Sequence, residues 1–185
     1  MRIAIIGWGS LIWDPQALDI ENEWHTDGPM LPVKFARVSK GKRLTLVLVE
    51  GAPLQQTLWA ISHKTTLAEA VTDLVKREGT TDSNIGRWPC TDRFDIFEKR
   101  MASIVAAWAQ ERKLDAAVWT ALGPKKPNGE NGLATDDELI NYLRALAERG
   151  DDAAAKEYIE KAPTQIKTPL RARICRELGW YRLGK

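Results

Sequence analysis

Ile3-Ala4-Ile5-Ile6-Gly7-Trp8-Gly9-Ser10-Leu11-Ile12-Trp13-Asp14-Pro15 opens the chain, and the rest is read outward from it. Ile3 to Ile6 is an unbroken apolar run that suits a short strand buried on both faces. The Gly-Trp-Gly-Ser segment behind it has two readings. Two glycines around a bulky residue let the backbone turn sharply and come close to a ligand. Successive N–H groups in such a turn converge into an anion-binding nest, Ser10 adds a hydroxyl, and Trp8 and Trp13 can wall a pocket. The plainer reading is a tight turn out of a strand, with both tryptophans in the core. A dinucleotide loop fits poorly, because it needs a third glycine, a helix directly behind, and an acid about 20 residues on at the end of a second strand. Here Ile12 takes the third glycine's place and Pro15 interrupts the helix. Glu21 and Glu23 lie near the turn-rich Asp27-Gly28-Pro29.

Moving outward, Val33 to Val38 alternates and Leu44 to Val49 is strongly strand-forming, with Lys40-Gly41-Lys42 as the turn, so residues 33–49 read as a hairpin. Thr57 to Ser62 is a further strand. The character then changes. Thr66 and Glu69 form a capping box, Leu67, Ala70, Val71, Leu74 and Val75 recur at helical spacing, and Gly79 supplies the stop. A second helix is expected over about 93–112, with Phe94, Phe97, Met101, Ile104, Val105 and Trp108 as its stripe. Asp115 to Leu122 reads as a returning strand, and residues 124–132 as a loop. Thr135 and Glu138 cap a helix whose stripe is Leu139, Ile140, Leu143, Leu146 and Ala147. Asp151-Asp152 opens the next helix, and Thr168-Pro169 the last. The class is α+β, a strand-rich front with a helical C-terminal part, in a chain of 185 residues with no interdomain linker.

Glu78 stands out within this pattern. It continues the stripe 67, 70, 71, 74, 75, so an acid shares a face with five apolar residues. Burial favours the neutral carboxyl, and so does a place in the last turn, where the helix carries partial negative charge. A carboxyl held this way suits proton transfer near neutral pH. The alternative is that the helix frays and Glu78 swings into water, or that it pairs with Arg77 or another base.

Composition excludes several classes. Hydrophobic residues make up 44% and charged residues 28%, too rich a core for wholesale disorder. A net charge of +2 gives no general affinity for nucleic acid or an anionic membrane. The two cysteines, Cys90 and Cys175, cannot staple a secreted domain and fit a reducing compartment. The run from Ile3 to Trp13 is too short to span a bilayer. As a signal-peptide core it is interrupted by Gly7, Gly9 and Ser10, and Asp14-Pro15 stands where a cleavage site belongs. The expectation is a cytoplasmic protein.

Residues Ile5 to Pro15 resemble the opening of the gamma-glutamylcyclotransferase-like superfamily, most of all its ChaC-type branch, where a strand runs into Gly-Tyr-Gly-Ser-Leu-Ile-Trp followed by proline. Leu58-Trp59-Ala60-Ile61 and the helix ending Arg77-Glu78-Gly79 are similar to the strand and helix that carry that family's catalytic glutamate. The likeness covers roughly residues 3–79, and Ala117 to Thr120 is similar to a later barrel strand. It implies a single domain, a small mixed β-barrel flanked by helices. Residues 1–122 would form the barrel core with an inserted helix at 93–112, and residues 133–182 a helical extension. It implies Gly7, Trp8, Gly9, Ser10 and Leu11 in substrate binding and Glu78 as acid and base. The substrate's own amine would attack its side-chain amide and release 5-oxoproline, with no cofactor and no metal. The chain departs from the pattern at Trp8, which lacks the tyrosine's hydroxyl, at the insertion-like residues 80–112, and in the added C-terminal helices. The substrate would therefore be a gamma-glutamyl amine or peptide of unspecified kind. The competing function is a binding module on the same fold that keeps the pocket, or docks a partner, without catalysis.

Other candidates carry less. Cys90 with His25 or His63 has no local nucleophile signature, and the two histidines share no metal-ligand spacing. Lys34, Arg37, Lys40, Lys42 and Arg43 read as a solvated hairpin, with Arg37 kept as a candidate for a substrate carboxylate. The 124–132 loop reads either as a lid or as a connection.

Overall fold

A parallel pair of strands sets the architecture. In the computed structural model, which describes residues 1–89 and 95–181, the elements in chain order are β1 (Ile3–Gly7), β2 (Met30–Leu31), β3 (Val33–Val38), β4 (Leu44–Leu48), β5 (Gln55–Gln56), β6 (Leu58–Ser62), α1 (Leu67–Glu78), β7 (Ile85–Trp88), α2 (Ile96–Glu111), β8 (Ala116–Thr120), α3 (Asp136–Glu148), α4 (Ala153–Lys161) and α5 (Pro169–Leu178). This is a mixed α+β fold. The described residues form two compact units, one of residues 1–31 and 56–122, the other of residues 32–55 and 123–185.

The first unit holds a four-stranded sheet in the order β6-β1-β8-β7. β1 runs antiparallel to β6, with Ile6 opposite Trp59, and parallel to β8, with Ile6 opposite Trp119. Parallel neighbours need a long crossover, and this one carries every element from β2 to α2. All five residues of β1 are buried, as a strand in the middle of a sheet requires. On one face Ile3 and Ile5 pack with Ala116, Val118 and Ile85 against Ala70, Val71 and Leu74 of α1. Ile6, Trp59 and Trp119 alternate to the other face, where the Trp59 ring meets Trp108 of α2 edge-on, with centroids 5.3 Å apart.

The second unit is built on the β3–β4 hairpin and α3, α4 and α5. Thr135 and Glu138 cap α3 reciprocally, Thr168 caps α5 with Pro169 in its first turn, and Gly179 ends α5 in the left-handed region at φ 68°. The Tyr158 ring of α4 meets Phe35 of β3, and its hydroxyl accepts from the Leu46 N–H of β4.

Several expectations change. Ile85–Trp88 is a strand, paired with β8, where the sequence reads as an insertion. Ile85 and Trp88, three residues apart with Gly86 and Arg87 between them, give β7 no strand period, so only its partner reveals it. α2 begins after Asp95, which forms a capping box with Glu98. The expected earlier start at 93–94, like Cys90, lies outside the described residues. A bulge between Phe35 and Arg37 breaks the alternation of β3, so Ala36 is buried and Arg37 leaves the Val33–Phe35 face. Ala147 is exposed, outside the stripe of α3. Among the described residues, no helix is long and apolar enough to cross a membrane.

Candidate functional site

The opening loop leaves β1 at Gly7 beside the end of β8. It closes on itself by two turns, Ile12 N–H to the Gly9 carbonyl (3.0 Å) and Asp14 N–H to the Ser10 carbonyl (2.9 Å). Those bonds consume the amides of Ile12 and Asp14. The N–H groups of Gly9, Ser10 and Leu11 donate to no acceptor among the described residues, although Gly9 and Leu11 are buried. Buried amides are almost always paired, so the donors of Gly9 and Leu11, with that of Ser10 between them, are able to take an acceptor. Neither Gly7 nor Gly9 takes a positive φ. Gly7 is needed for space instead, because a Cβ there would lie 3.0 Å from both Ile12 and Trp24. The Leu11 side chain packs into the core with Ala70, Val71 and Leu74, which ties the loop to α1. Trp8 is buried and Trp13 half-buried.

α1 brings the acid. Thr66 and Glu69 satisfy each other's backbone N–H at its start. At its end Gly79 adopts φ 58°, which only glycine takes without cost, and returns its N–H to the Lys76 carbonyl. Glu78 is thus the last helical residue. Its side chain is 15% exposed, so it neither frays into water nor sits unpaired, because Arg77 Nη1 donates to Oε1 at 2.6 Å. The pairing alternative is the one observed. The second oxygen, Oε2, has no hydrogen-bond partner among the described residues.

The same guanidinium reaches the loop. Arg77 Nη2 donates to Ser10 Oγ (3.2 Å) and to the Asp14 carbonyl (2.6 Å). One planar group therefore joins Glu78 to the turn with the free amides. The Arg77 side chain is 6% exposed, and its Nε–H is buried without a partner among the described residues. At the neighbouring strand end, Thr120 Oγ1 is likewise buried and unpaired. Thr120 follows Trp119, which is level with Ile6, and Ala121 N–H bonds the carbonyl of Asn84, whose amide reaches Thr80 just past α1. Neither Arg77 nor Thr120 figured among the sequence candidates for the site. A base in the last turn of a helix was legible for Arg77. Thr120 carried no signal.

Of the expected site residues, Gly7, Trp8, Gly9, Ser10, Leu11 and Glu78 belong to this unit. Arg37 belongs to the other, where its half-buried guanidinium donates to the Gly123 carbonyl (2.8 Å) and desolvation lowers its pKa from the ordinary arginine value. His63 pairs through Nδ1 with Asp19 (2.9 Å), and His25 lies against Trp59. Lys34 and Lys42 are engaged with Asp136 and Asp151. The 124–132 loop is bonded to β3 through Lys125, which exchanges main-chain hydrogen bonds with Ala36 and Val38. The described residues hold no cluster of three or more His, Cys, Asp or Glu suited to a metal ion. No protein-family model, no curated protein and no solved structure matches the chain.

Proposed function

We propose that this protein is a cyclotransferase acting on a gamma-glutamyl amine or peptide, on a small mixed β-barrel of the gamma-glutamylcyclotransferase-like type, in the cytoplasm. The observation that carries the reading is the Arg77 bridge, which ties a poorly exposed carboxylate to a loop with three free amides. Such donors suit a carboxylate or a developing oxyanion. In the reaction the α-amine of the gamma-glutamyl group attacks its own side-chain amide carbonyl. The new C–N bond closes a five-membered lactam, the amide C–N bond breaks, and the amine leaves. One proton passes from the attacking to the leaving nitrogen. Glu78 carries it on Oε2 while Oε1 stays on Arg77. The balance requires no water and no external nucleophile, and folding the substrate so that amine and carbonyl meet supplies much of the acceleration.

Glu78→Gln tests it. Release of 5-oxoproline from gamma-glutamyl-L-alanine should fall by about 10²- to 10⁴-fold, while the ligand still raises the melting temperature. Undiminished turnover in that variant removes Glu78 from the chemistry. A second reading is favoured by the ion pair itself, since a carboxylate engaged by a guanidinium is also what a purely structural role requires. On that reading the protein binds a small molecule without converting it. It prevails if a panel of gamma-glutamyl compounds binds and none is turned over.

A further inference from the structure

We infer that Arg77 is a positioning residue, a clamp that holds the proton-carrying oxygen of Glu78 and the hydroxyl of Ser10 in fixed register with one another. The inference rests on the reading of Glu78 as the proton carrier. Side chains one residue apart on a helix do not ordinarily face each other. Here they meet at the last helical residue, where Arg77 Nη1 bonds Glu78 and the other arm of the fork spans the gap to the loop. Two consequences follow from the geometry. With Oε1 held at 2.6 Å, Oε2 is the oxygen left to exchange a proton. With Ser10 Oγ accepting from Nη2, the Ser10 O–H is left to donate, so it joins the amides of Gly9, Ser10 and Leu11 as a fourth donor. The guanidinium also sets a positive charge beside a carboxylate at the end of α1, where the helix dipole works against it. A lysine offers one point charge without a planar fork and engages one side only.

The test reads the clamp and the chemistry separately. Amide hydrogen exchange of the free protein is compared between wild type and Arg77→Lys, followed by kinetics on gamma-glutamyl-L-alanine. The expected result is faster exchange centred on the amides of Ile12 and Asp14, whose bonds close the loop, with kcat lowered by about 10²-fold and KM moved far less, as misplacement of a reacting group predicts. Unchanged exchange in the loop overturns the inference. So does a wild-type kcat, or a loss carried wholly by KM. Should Arg77→Lys not fold, Ser10→Ala serves in its place, since it removes one loop acceptor and keeps the Asp14 bond. The same exchange pattern with a smaller drop in kcat supports the clamp, and no change in either overturns it. Faster loop exchange in a protein whose wild type turns over no gamma-glutamyl compound keeps Arg77 as a structural tie and removes the functional reading, and with it the positioning role.

Discussion

Residues with no side chain, or with one in an unexpected place, decide this molecule at its finest scale. Gly86 is one of them. It lies on β7 directly against the Trp119 indole, and a Cβ added there would overlap the ring. Trp119 is 1% exposed and packed in the middle of the sheet, so it has nowhere to retreat. Gly86→Ala should therefore cost about 1–3 kcal/mol through overpacking, seen as a lower urea midpoint with an unchanged slope. An unaltered midpoint would mean that the ring moves aside freely. Nothing in Asn84-Ile85-Gly86-Arg87 announces this, because a glycine reads as a turn until the strand beside it is known. Glu78 is the opposite case. Its place on the apolar stripe was legible, whereas its partner's reach to Ser10 was not.

At the scale of elements, local chemistry explains where helices begin and end. α1, α2 and α3 each start with a reciprocal capping box, and two of the three were readable from Thr66/Glu69 and Thr135/Glu138. The end of α4 is handled differently. Its last carbonyls are not met by a capping glycine. Arg171 of α5 reaches back instead, with Nη2 donating to the carbonyls of Ile159 and of the cap residue Ala162 at the end of α4, and Nη1 to those of Pro163 and Ile166 in the connection that follows, at 2.7–3.1 Å. Helix C-termini leave such carbonyls unsatisfied, and a guanidinium fork can serve several at once. Arg171→Met should destabilise the second unit by about 2–3 kcal/mol, measured as faster exchange of α4 amides and a lower melting temperature. Arg171→Lys should recover little of it. Stability equal to wild type in both variants would show that water replaces the fork without cost.

For the whole molecule, the balance of charge governs behaviour in acid. Several carboxyls are held below the ordinary carboxylate range by hydrogen bonds made only in the folded chain. Asp19 is held by Lys64 and then His63, Asp27 by the Trp59 indole and then Arg112, and Glu69 by the Thr66 hydroxyl. In the second unit Glu138 is held by the Thr135 backbone, Asp151 by Lys42 and Glu177 by Arg173. A depressed folded pKa means that the unfolded chain takes up protons first as pH falls. The stabilisation is therefore complete above the unfolded carboxyl values, at about pH 5 and higher, and is lost as pH drops through the lower folded values. Melting temperature should be flat from pH 5 to 7 and decline steeply below about pH 4. Asp27→Asn should lower it at neutral pH and approach the wild-type curve in acid. A constant gap between the two curves down to pH 2 would refute the linkage.

By itself, the sequence determined the pieces whose cause is local: the buried first strand, the β3–β4 hairpin, the capped α1 with its left-handed glycine stop, and the awkward acid at its end. Each follows from period, capping chemistry or backbone freedom within a short stretch of neighbouring residues. Only the tertiary structure decided that Ile85–Trp88 is a sheet edge, that the hairpin groups with the C-terminal helices, and that Arg77 spans from Glu78 to Ser10. Those depend on which strands lie side by side after the β1–β8 crossover, a pairing 113 positions apart at Ile3 and Ala116. No local preference encodes a contact of that span, because its free energy comes from burying both partners together.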